Sequence, residues 1–183
     1  MHGLPGLQVN VLIDANARAR LTGFSLITMA SDQPTVTSPA MLDGTIRWMS
    51  PELLHPGMVG LKESRPTKES DCYALGMLIY EVLSGQAPFA SYRDPEVVFS
   101  VLRGERPKRP QGNEGRLFTD CIWELLGHCW MQLPSDRPSA EAILLGLEGD
   151  TGAGINRRSG SIECTPGMLT SPRSGFVFTT LVL

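Results

Sequence analysis

The chain has 183 residues, with 16 Lys and Arg against 19 Asp and Glu, a formal net charge of −3 and 42% hydrophobic residues. This describes one folded domain with room for a tail, and it excludes a strongly basic nucleic-acid binder and an acidic disordered chain. The longest apolar run, 73–83, contains Gly76 and Glu81 and is far short of the roughly 18 to 20 residues that span a bilayer. The first residues have no basic leader or long apolar core, so the expectation is an intracellular protein.

Two short apolar runs, 9–14 and 18–22, flank Asn16 and predict a small β-hairpin at the start. Residues 26–43 show no sustained period and predict a long loop, in which Thr35, Thr37 and Ser38 are candidate phosphosites or ordinary loop residues. A helix is expected from Thr67 to Gly85, with apolar residues on every side and therefore buried. Asp94 before Pro95 suggests an N-cap for the next helix, which should end at Gly104.

Two more helices are expected over 119–130 and 139–147, each led by a hydroxyl residue. Arg103, Arg106, Lys108 and Arg109 form a basic cluster, either a solvated loop or a dock for an acidic segment. Cys72, Cys121, Cys129 and Cys164 lack metal-ligand spacing and read as buried free thiols, while His55 and His128 read as structural. Residues 150–183 turn rich in Gly, Ser, Thr and Pro and are expected to form a disordered tail, ending in the β-prone, uncharged FVFTTLVL.

Four strings in fixed order carry a family likeness: NVLID at 10–14, GTIRWMSPE at 44–52, SDCYALGMLIYEVLSGQAPF at 70–89 and CWMQLPSDRP at 129–138. Together they resemble the C-terminal lobe of a protein kinase of the tyrosine-kinase-like Ser/Thr group, over roughly residues 2 to 148. The likeness implies a mainly α fold with the hairpin at its N-terminus, lobe over 1–149, and the N-terminal lobe absent. It implies ATP and Mg²⁺ as cofactors of the family, Glu52 paired with Arg137, and Asp71 accepting hydrogen bonds from the catalytic loop. Helix capping is the alternative role of Asp71. Leu12 takes the adenine-floor position, supported by Leu78 and Val82, although core packing accounts for these three equally well. Thr45 takes the substrate-loop position and leans towards Ser/Thr substrates.

The catalytic strings depart from the family. Between His2 and Asn10 there is one residue more than the family spacing; counting from Asn10 puts Pro5 and Leu7 at the base and Lys positions, and counting from His2 puts Leu4 and Gly6 there. The D-F-G motif has become Gly23, Phe24 and Ser25, keeping the packing Phe and losing the metal-binding Asp. Asn10 alone remains of the Mg²⁺ ligands, and one neutral amide is a poor site for a hard cation. The expectation is a catalytically inactive module with weak or absent nucleotide binding. Alternatively, the chain is a fragment of an active kinase whose other motifs lie upstream. An apolar surface around Val11, Leu12, Leu21 and Phe24 is expected to be exposed and to take a protein partner.

Overall fold

The structure, a computed structural model, describes residues 11–16, 19–21, 45–113 and 115–150. Within them a short hairpin precedes a mainly helical body. Strands β1 (Val11–Ile13) and β2 (Ala19–Leu21) pair antiparallel, with Leu12 opposite Arg20. The turn between them is organised by Asp14, whose Oδ1 accepts from the Asn16 amide at 2.9 Å and whose Oδ2 accepts from the Arg20 guanidinium.

The body consists of α1 (Pro51–Leu54), α2 (Lys68–Ser84), α3 (Asp94–Leu102), α4 (Asp120–Cys129) and α5 (Ala140–Asp150). The expected ends of α2 are found. Thr67 Oγ1 accepts from the Ser70 amide and Ser70 Oγ accepts from the Thr67 amide, a reciprocal cap. At the other end Gly85 takes φ +69, a left-handed conformation that a residue with a Cβ enters at a cost. Thr119 and Ser139 cap α4 and α5 through their hydroxyls, as their positions suggested, and α5 runs three residues beyond Leu147.

At α3 the expected cap is displaced by one residue. Arg93 is the N-cap, its amide donating to Glu96 Oε2 at 2.8 Å, and Asp94 is the first helical residue. The Asp94 carboxylate instead meets Arg47 at 3.0 Å, because a guanidinium from the 3-10 turn Ile46–Trp48 lies within reach.

The core is the interface of α2 with α4, closed by α3 and α5: Tyr73, Met77, Val97, Val101, Phe118, Leu125, Leu126 and Ile143 are buried. Gly76 permits the α2–α4 crossing, since a Cβ there would stand 2.7 Å from Cys129 Cβ and 2.8 Å from Trp130 Nε1. Tyr80, Phe118, Trp123 and Trp130 form a chain of tilted and edge-on ring contacts with centroids 5.6 to 6.0 Å apart.

The α2 helix is not buried all round. Asp71, Leu75, Leu78 and Val82 fall on one stripe, and along it Asp71 is exposed, Leu75 and Leu78 are half-buried and Val82 is 53% exposed. Cys72 and Cys129 are free and buried, whereas Cys121, half-buried in the first turn of α4, is disulfide-bonded and departs from the expected free thiol. Cys164, the 26–43 loop with its candidate phosphosites, and the 151–183 tail lie outside the described residues. Among the described residues no helix is long and apolar enough to cross a membrane.

Candidate functional site: a frame around residues 45–52

The segment 45–52 is fixed from three directions. Thr45 precedes the 3-10 turn Ile46–Trp48 and accepts the Trp48 amide at its carbonyl, 3.1 Å. Arg47 reaches across to donate to the carbonyls of Phe89 at 2.6 Å, Tyr92 at 2.7 Å and Pro88 at 3.2 Å, besides its ion pair with Asp94. Phe89 sits at φ +54, an uncommon conformation for an aromatic residue, held where two of these bonds converge. Trp48 Nε1 donates to buried Glu81 Oε2 at 3.1 Å, tying the turn to α2.

Glu52, 1% exposed, carries the third connection. It starts a fork with Arg137, 85 residues away: Nη1 to Oε1 at 2.6 Å and Nη2 to Oε2 at 2.7 Å. Arg137 spends its remaining donors on the carbonyls of Met131, Glu69 and Gln132. All five guanidinium N–H groups therefore have acceptors, the condition under which a buried ion pair offsets its desolvation. Desolvation raises the Glu52 pKa, but hydrogen bonds from Arg137 and the backbone, with the Arg137 charge, outweigh it and hold the carboxyl below its ordinary value.

Tyr73 lies between two guanidiniums, Arg137 at 5.1 Å and Arg106 at 5.4 Å from its ring centroid. Burial pushes its phenol up to about 12, against the opposing charges of the two arginines. Arg106 bonds the carbonyls of Trp130, Val101 and Glu105 and the Gln132 side chain. Arg109 pairs with Asp120, donates to the Phe118 carbonyl and lies over the Trp123 ring. The basic cluster is thus divided: Arg106 and Arg109 brace the fold, while Arg103 and Lys108 remain exposed.

The structure separates the other expected residues. Asp71 does not cap α2, since Thr67 and Ser70 do so; its carboxyl is raised by desolvation. Leu12 is 56% exposed and its neighbour Ile13 67%, so core packing does not account for Leu12 or for Val82. Val11 is half-buried. His2, Asn10 and Phe24 lie outside the described residues, as does the side chain of Leu21. His128 Nδ1 is 2.8 Å from the Glu124 carbonyl, a local structural contact.

Asn10 and Gly23, which stand at the family's Mg²⁺-ligand positions, lie outside the described residues. The donor set left by the sequence is the amide of Asn10, with no carboxylate at the positions of the two family Asp residues. Among the described residues no cluster of His, Cys, Asp and Glu is arranged to hold a metal. Sequence reasoning did not find Arg47, Trp48–Glu81 or Tyr73 with its two arginines. A Trp preceding SPE and an acidic residue late in an apolar helix were the available signals, and neither specifies a partner.

The family model for protein tyrosine and serine/threonine kinases matches residues 8–147. Among curated relatives, the cytoplasmic tyrosine-protein kinase BMX of Mus musculus is 31% identical over 143 residues, 76% of this chain and 20% of that protein. The serine/threonine-protein kinase mos of Patiria pectinifera is 31% identical over 147 residues, 78% of this chain and 39% of that protein. The serine/threonine-protein kinase PkaA of Streptomyces coelicolor is 33% identical over 144 residues, 78% of this chain and 24% of that protein. The chain therefore spans between about a fifth and two fifths of the length of these relatives. The family match covers most of the chain and includes the ion-paired Glu52 and Arg137: the chain belongs to the protein tyrosine and serine/threonine kinase family, with a kinase domain of the tyrosine-kinase-like type.

Proposed function

We propose that this chain acts as a non-catalytic kinase-fold binding module, intracellular and engaged by a protein partner. The family transfers phosphate from ATP to protein side chains with Mg²⁺, a reaction that is mostly positioning and charge neutralisation. The carrying observation is Gly23 at the metal-binding Asp position, with no Asp in the 2–10 segment in either register. Loss of general-base help alone removes roughly a hundred- to ten-thousand-fold in rate. The observations that support a binding role are the Glu52–Arg137 fork, which retains the family's fold, and the exposed apolar residues Leu12, Ile13 and Val82. These exposed residues are the ones this reading assigns to the partner.

Incubation of the purified full chain with radiolabelled ATP, Mg²⁺ and a mixed Ser/Thr/Tyr peptide pool tests this reading. No transfer above the buffer control is expected. Mg²⁺-dependent transfer that Asn10→Ala abolishes overturns it.

A second reading has its own observation, the small share of each relative that the chain spans. In it, this sequence is part of a longer active kinase, with Ser/Thr preference following Thr45, and the missing lobe and acids are encoded upstream. A native transcript read through the codon for Ser25 decides: Asp at both motif positions supports this second reading, and Gly23 with Leu4 and Pro5 unchanged rejects it.

A further inference from the structure

We infer that α3 is a self-complementary docking face through which two copies of this chain pair across a two-fold axis. The inference does not depend on whether the chain transfers phosphate. Phe99 is 64% exposed and is the one aromatic residue among the exposed large hydrophobics of the described residues. Its helix is held from within: Val97 and Val101 are fully buried, and Asp94 is gripped by Arg47. A rigid platform carrying an exposed aromatic ring has the composition of a binding hot spot, with little ordering cost to meet.

The charges around Phe99 identify the occupant. Glu96 lies three residues before it and Arg103 four residues after it, so all three share one stripe, with Pro95 and Leu102 beside them. Along the stripe the order is acidic, aromatic, basic. Rotation by 180° about an axis near Phe99 brings Glu96 of one copy onto Arg103 of the other, and the reverse pair forms at the same time. Phe99 then meets its own equivalent at the axis. An isologous contact requires this pattern, in which a patch complements itself.

Both charged groups retain capacity for the contact. Arg103 is exposed and has no ion-pair or hydrogen-bond partner for its side chain among the described residues. Glu96 uses Oε2 for the Arg93 amide and Oε1 for the Arg93 guanidinium, and an ionised carboxylate has about four acceptor sites. One helix face buries far less than the roughly 1,200 Å² of a standard stable interface, so the pair is weak, with Kd on the order of 100 µM. Exposed charges of this kind set orientation and partner choice more than affinity.

Sedimentation equilibrium of the full 183-residue chain from about 10 µM to 1 mM, at low and high salt, tests the inference. The native chain is expected to shift from monomer to dimer across this range, and Phe99→Ser to stay monomeric. Glu96→Arg and Arg103→Glu should each weaken self-association by about tenfold or more, because both charge pairs become repulsive in each homodimer. An equimolar mixture of these two variants should recover dimer, since each contact between the two chains then joins unlike charges. Thermal unfolding confirms the fold of each variant. Glu96→Arg removes the cap contact to Arg93, so if it fails to fold the decision passes to Arg103→Glu and Phe99→Ser, which leave that cap intact. A monomeric native chain at 1 mM, a dimer unaffected by Phe99→Ser or Arg103→Glu, or a mixture of folded charge variants that stays monomeric overturns the inference.

Discussion

The two sides of α2 carry nearly equal apolar content and meet different fates. Tyr73, Gly76 and Met77 are buried against α4 and the arginines that flank Tyr73, while Leu78 is half-buried and Val82 exposed on the other side. Apolar composition states that a side chain gains from burial; it does not supply the neighbour that buries it. The helix is therefore a boundary between a packed frame and a face that lacks packing neighbours. Perturbing the first should cost stability, and perturbing the second should cost little.

The largest effect is expected at the fork. Glu52→Ala or Arg137→Ala should each destabilise the chain by about 3 to 5 kcal/mol, because each strands a buried charge. The double variant should cost less than the sum of the two in chemical denaturation. Strict additivity would show that the pair is energetically uncoupled and break the contrast between the two sides.

Gly76→Ala comes next. Its Cβ would meet Cys129 Cβ and Trp130 Nε1 at under 3 Å, both on a packed helix end, so a loss of about 1 to 3 kcal/mol is expected from overpacking. A neutral result in thermal unfolding would mean that the α2–α4 crossing is loose.

A pH series separates the sides by charge. The Glu52 carboxyl is lowered in the folded chain, so its contribution is complete above the unfolded carboxylate pKa of about 4.3 and is lost as pH falls through the folded value. Asp71, raised by desolvation, has the opposite sign: its ionisation costs stability as pH rises through the carboxylate range, and that cost persists above the folded pKa. Glu52→Gln should flatten the acid limb of the stability curve, and Asp71→Asn should raise the melting temperature at neutral pH. A lower melting temperature for Asp71→Asn would indicate that its carboxylate has a bonded role.

The smallest effects belong to the exposed face. Leu12→Ala and Val82→Ala are each expected to change stability by within about 0.5 kcal/mol, as surface substitutions do. A loss of 2 kcal/mol at either would reveal a packed role for that residue.

What was legible in the sequence follows the range of the interactions. Thr67, Thr119, Ser139 and Gly85 act on amides and carbonyls within a few residues, and their positions alone predicted α2, α4 and α5. Asp94 was misplaced by one position because the local rule omits Arg47, a charge 47 residues away in sequence. Glu52 and Arg137 became visible through the family likeness, since no local period links residues 85 apart. Arg47, Arg106 and Arg109 bind backbone carbonyls, which every residue possesses, so no side-chain pattern marks their acceptors. The basic cluster was ambiguous for that reason, and only the fold divides it into bracing and exposed members.

The proposed non-catalytic reading requires a kinase frame whose stability does not respond to the family's nucleotide. Thermal unfolding of the full chain with and without 1 mM ATP and Mg²⁺ (about a tenfold excess over a 100 µM Kd) tests it most directly, since a ligand that binds the folded state raises its stability by about RT ln(1 + [L]/Kd). The account predicts coincident transitions. A melting temperature that rises with ATP and Mg²⁺ together, and with neither alone, would contradict it.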